Sequence, residues 1–163
     1  MKEITSLEIE RFKNGYLKDY RRLKYKLQNY NEQLEDIDSK IEIMYGVKAI
    51  RYDRVVVQGG PDPRTKERAR LELIDKSKPI EEKKQKIEQK LKIIEEFCEF
   101  SDKKIAQAAF NIYCQQKDTE GNRFTFYKEG RKLYMSEKTL QRKVDKQIED
   151  FLKVDRQDNK ELW

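Results

Sequence analysis

Nine residues near the start of this chain recur at alternating steps of four and three: Tyr16, Tyr20, Leu23, Leu27, Tyr30, Leu34, Ile37, Ile41 and Met44. A second run follows the same rule through Leu73, Ser77, Ile80, Lys84, Ile87, Leu91, Ile94 and Cys98, with two polar positions inside it. An apolar repeat near 3.5 residues, held this long, marks the seam of a coiled coil rather than the wide stripe of an ordinary globular helix. A seam needs a partner, and the nearest partner for each run is the other.

Composition agrees with narrow seams. The hydrophobic fraction is 36% and the charged fraction 42% over 163 residues, too polar for a thick core and enough for long helices zipped along one edge. Disorder is the competing reading of such a composition, but disordered segments lack apolar periodicity.

The first run predicts a helix over 5–45, a rod of roughly 45 Å in its seam, stopped by Gly46 as a C-cap. Residues 46–64 break the pattern. Val55, Val56 and Val57 have strand propensity, while Gly59, Gly60, Pro61 and Pro63 oppose a helix. Ile50, Tyr52 and Val55 read as a small apolar cluster under a loop folding back on the helices. The second run predicts a helix over 65–100, kinked or broken by Pro79, with Ser77 capping the part that restarts. A short connector makes loop closure cheap, so residues 1–100 read as one long antiparallel helical hairpin.

From Ser101 and Asp102, a capping pair, a helix is expected to residue 116. A turn at Gly121 and Asn122, a short helix over 124–134, a turn at Met135 and Ser136, and a last helix over 137–152 follow. Residues 101–153 are therefore a three-helix module and 154–163 a polar tail ending in Trp163. The fold class is all-α.

The charge is concentrated in that module. Lysine and arginine exceed aspartate and glutamate by six over the whole chain, and by five between Arg123 and Lys146 alone. There Phe126, Gly130, Leu133, Thr139, Leu140, Val144 and Ile148 read as inward. Glu137, Lys138, Gln141, Arg142, Asp145 and Lys146 read as outward, on the N-terminal face that enters a major groove in helix-turn-helix proteins. Arginine and lysine reach guanine edges or phosphates and glutamine reads adenine. Lys128, Arg131, Lys132 and Lys143 would add phosphate contacts, and Ser136 would cap the second helix.

Other chemistry finds little support. Histidine is absent, which removes imidazole acid–base catalysis and most zinc sites. Adjacent carboxylates such as Glu81 and Glu82, or Glu95 and Glu96, point apart on a helix. Gly59 and Gly60 lack the strand-to-helix setting of a phosphate cradle. Cys98 and Cys114 do not have metal-ligand spacing, and Cys98 falls on the second seam as a buried thiol. The chain therefore reads as a non-enzyme without cofactor or metal. With no transmembrane-length run and no apolar leader after Met1, a cytoplasmic location and no membrane contact are expected.

Phe126, Gly130, Leu133, Met135, Ser136, Thr139 and Leu140 resemble the helix-turn-helix of region four of sigma-70-like factors. A long helical part followed by such a module is similar to phage late-gene regulators of the RinA and ArpU type. Glu129 stands where that family has an aliphatic residue, and Tyr134 where glycine is common. The resemblance implies a transcriptional activator of phage late genes that binds promoter DNA through residues 137–146 and touches the host RNA polymerase. Two alternatives stay open: a DNA-packaging subunit of small-terminase type, and a helical protein-interaction module. A homodimer or higher oligomer would form through the hairpin.

Overall fold

The computed structural model describes residues 4–46 and 63–158, and among them the backbone is all-helical with no strand. Helix α1 (Ser6–Phe12) starts at Thr5, whose N–H donates to the Glu8 carboxylate at 2.8 Å. A π-helical turn, Lys13–Leu17, follows, and α2 spans Tyr20–Gly46. The single helix expected over 5–45 is thus interrupted. The reason lies in Phe12 and Leu17, both 0% exposed and five residues apart. An α-helix would turn two such positions well away from each other, whereas the wider π turn points both inward.

Helix α3 (Pro63–Glu99) is one piece. Pro63 occupies its first position, where a missing N–H costs nothing, and the helix continues through Pro79. The expected break there is absent. Pro79 lies on an exposed face, so the carbonyl crowded by its ring can tilt toward water. Ser77 does not cap a new helix; its hydroxyl donates to the Ile74 carbonyl at 2.8 Å.

Asp102 caps α4 (Lys103–Ala109), accepting from the N–H groups of Lys104 at 3.0 Å and Ile105 at 3.3 Å. A second π turn, Phe110–Gln115, extends it. The same device recurs: Ala109 and Cys114, five apart, are both fully buried. A turn with Gly121 at φ 87° returns the chain to α5 (Phe126–Lys132) and then α6 (Glu137–Asp158).

Contacts divide the chain into two compact units, one of described residues up to Lys24 and from Gln89, the other Tyr25–Glu88. This division runs across the expected boundary at residue 100. In the first unit the rings of Phe12, Phe97 and Phe151 meet at 5.5–5.7 Å between centroids. Leu140, Val144, Ile148 and Leu152 line the buried face of α6, each contributing on the order of 1.5–3 kcal/mol by burial. In the second unit the four-three positions Leu27, Tyr30, Leu34, Ile37, Ile41, Met44, Leu73, Ser77, Ile80, Lys84 and Ile87 are all buried or half-buried, and most residues between them are exposed. The expected extended segment and apolar cluster over 47–62, and Trp163, lie outside the described residues.

Candidate nucleic-acid interface

The segment from α5 to α6 is held by its own backbone before any long-range contact. Thr125 Oγ accepts from the Lys128 N–H at 3.2 Å and so opens α5. The Met135 N–H donates to the Gly130 carbonyl at 2.9 Å, which closes the turn. Ser136 Oγ accepts from the Thr139 N–H at 3.2 Å, the expected cap of α6. Gly130 is required by space: a Cβ there would stand 2.9 Å from the Met135 carbonyl oxygen.

Helix α5 packs on α6, and α6 packs on α1 and α4. This leaves a face of α6 open. Lys138, Arg142 and Lys146, at steps of four, share the side opposite Leu140, Val144 and Ile148, with Gln141 and Lys143 flanking them. All ten sequence-predicted contact residues, Lys128, Arg131, Lys132, Ser136, Glu137, Lys138, Gln141, Arg142, Lys143 and Lys146, are exposed.

Their electrostatic situations differ. Lys132 pairs with Glu129 at 2.7 Å, Lys128 Nζ donates to the Arg123 carbonyl at 3.4 Å, and the Arg131 guanidinium stands 5.9 Å from the Tyr127 ring centre. Lys138, Arg142, Lys143 and Lys146 have no ion pair among the described residues, whereas other exposed helix faces are neutralised by pairs such as Lys40–Asp36, Lys103–Glu99 and Lys153–Glu149.

Two acidic residues near this face are engaged in ion pairs. Glu129 is 4% exposed and accepts from Asn111 Nδ2 at 3.2 Å as well as from Lys132. That explains a carboxylate at an aliphatic position: it is buried and hydrogen-bonded. Asp145, read from sequence as outward, instead meets Lys13 at 2.7 Å. Thr139 also departs from the inward reading: it is exposed, and its hydroxyl lies 2.8 Å from that of Ser136.

Sequence reasoning missed Lys13 and Gln147. Lys13 is 5% exposed and bridges Asp145 and Glu10, both at distances under 3 Å. Burial alone would lower its pKa; the hydrogen-bonded carboxylates of Asp145 and Glu10 outweigh that and hold it above the ordinary lysine value. Gln147 Nε2 donates to the carbonyls of Phe100 at 2.9 Å and Asp102 at 3.1 Å, tying α6 to the loop before α4. A signal for Gln147 was present: it interrupts the apolar stripe Leu140, Val144, Ile148, Phe151. Cys98 is half-buried, and burial with nearby Glu99 and Glu95 raises its pKa to about 11.

Among the described residues no group of three or more candidate metal ligands clusters, and no helix is long and apolar enough to cross a membrane. No protein family, curated protein or solved structure matches this chain.

Proposed function

We propose that this chain is a sequence-specific, duplex-DNA-binding transcriptional regulator in which α5, the turn and the first half of α6 form the reading head. One observation carries the proposal: Lys138, Arg142, Lys143 and Lys146 stand exposed on α6 without ion pairs among the described residues, while the neighbouring Asp145 is paired with Lys13 and Glu129 with Lys132. A cation near a helix N-terminus opposes the helix dipole, so Lys138 gains nothing for the fold and would gain from a phosphate. The sigma-like resemblance of residues 126–140 supports activation of phage late genes with contact to the host RNA polymerase. In this reading the two long helices pair as an antiparallel hairpin that joins copies of the chain.

The test is an electrophoretic shift with phage promoter duplex at several salt concentrations, for the native chain and for Arg142→Ala with Lys143→Ala. The expected result is binding that weakens with salt, and a slope reduced by about two in the double variant. Equal binding and equal slope for both forms would remove the residue assignment. A packaging role remains the second reading, because four-three seams also build assemblies; a native mass of many copies would favour it and a monomer or dimer would favour the regulator.

A further inference from the structure

The turn between α5 and α6 contains a residue that the fold does not use. Tyr134 has φ 55°, a left-handed backbone in which any Cβ is disfavoured. Its side chain is 99% exposed, so the ring adds no buried surface to the protein. The turn itself is held by main chain: the Tyr134 N–H donates to the Arg131 carbonyl at 3.2 Å, and the Leu133 N–H to Gly130 at 3.0 Å. Glycine would make the same turn without strain. In sequence Tyr134 is flanked by cations, Arg131 and Lys132 just before it and Lys138 four residues after, all exposed.

We propose that Tyr134 is a DNA-contacting residue whose ring lies along the sugar–phosphate backbone bordering the groove, with its hydroxyl donating to a phosphate oxygen. The proposal rests on the DNA-reading role of α6. Tyrosine is among the side chains that make such positioning contacts. Because the contact is uncharged, it releases no counterion. It therefore has a signature distinct from that of every lysine and arginine nearby: affinity changes while the salt slope does not.

The experiment uses the full chain, with fluorescence anisotropy of a labelled random-sequence duplex pool over a salt series and thermal melting in parallel. Tyr134→Gly and Tyr134→Asn both tolerate the left-handed backbone, and Lys138→Ala is the charged comparison. The expected result is that both tyrosine variants melt no lower than the native chain and bind about three- to tenfold more weakly at every salt concentration, with an unchanged slope. Lys138→Ala is expected to lower the slope by about one. If the tyrosine variants bind like the native chain while Lys138→Ala changes the slope, the Tyr134 contact is overturned, the DNA-reading role stands, and the ring is left for a protein partner. If both variants melt lower, the ring serves the fold and the contact is likewise overturned. If the native chain shows no salt-dependent binding, both proposals fall.

Discussion

Lys13 Nζ lies 2.7 Å from Asp145 Oδ1, so a buried lysine from the first π turn holds a carboxylate of the helix proposed to read DNA. Removing Lys13 leaves Asp145 and Glu10 without their partner, whereas removing Asp145 leaves Lys13 still paired with Glu10. Lys13→Met is expected to cost about 2 kcal/mol and Asp145→Asn less. The double variant should cost less than their sum, because the two share one interaction. Urea denaturation of the four forms measures this, and strict additivity would show that the pair is not coupled.

The same cluster sets a pH response. The folded pKa of Lys13 is raised, so its stabilising contribution is complete below the ordinary lysine value of 10.5 and is lost as pH climbs through the folded value. The folded pKa of Glu10 is lowered, first by its hydrogen bond from Lys13, so its contribution is present above 4.5 and lost as pH falls through the folded value. Urea midpoints measured from pH 3 to 12 should fall at both ends. In Lys13→Met the alkaline fall should be shallower; an identical alkaline limb in both proteins would contradict the assignment.

Gly130→Ala tests the turn by sign. At an unconstrained helical site alanine is favoured over glycine by about 1 kcal/mol. Here the added Cβ would approach the Met135 carbonyl oxygen to 2.9 Å, a backbone atom engaged in the turn. The expected result is a loss of about 1–3 kcal/mol, read by thermal melting. A gain would mean that the turn has room to spare.

Gln147→Leu keeps the bulk of the side chain and removes both donors. The carbonyls of Phe100 and Asp102 lose their amide partner, and a cost of about 2 kcal/mol is expected. Hydrogen exchange at the start of α4 should quicken in parallel if this amide holds the loop.

Lys138→Glu should separate stability from binding. Near the N-terminus of α6 a carboxylate suits the helix dipole, and it would face Arg142 one turn on; together these favour the fold by about 0.5–1 kcal/mol. Duplex affinity should fall, with a shallower salt slope. A variant that is more stable and binds as before would place the DNA contact elsewhere.

The long helices were legible because burial follows the four-three spacing almost residue by residue. The cap at Ser136 was legible too, because it depends on local bonding. Lys13 and Asp145 were not, since 132 positions separate them and nothing local marks a lysine for burial. Pro79 misled because propensity assigns its cost to a generic helix interior, whereas here an exposed face absorbs it. For α6, periodicity placed Lys138, Gln141, Arg142 and Lys146 on an exposed face, but only the fold revealed that Asp145 is held by Lys13 and that Glu129 is buried against Lys132.

The π turns carry a consequence for how this protein tolerates changes in length. Between Phe12 and Leu17 the chain holds one residue more than ordinary helical phasing needs. A Cβ at Gly15 would meet nothing within 4 Å, so no close approach reserves that site for glycine. Deleting Gly15 would bring Phe12 and Leu17 to a spacing of four, still side by side, in a plain α-helix. Deleting Gln141 would instead rotate all that follows it on α6 by about 100° and carry Val144 and Ile148 out of the interior. The first π turn is in effect slack in the helical register, a place where a lost residue can be absorbed.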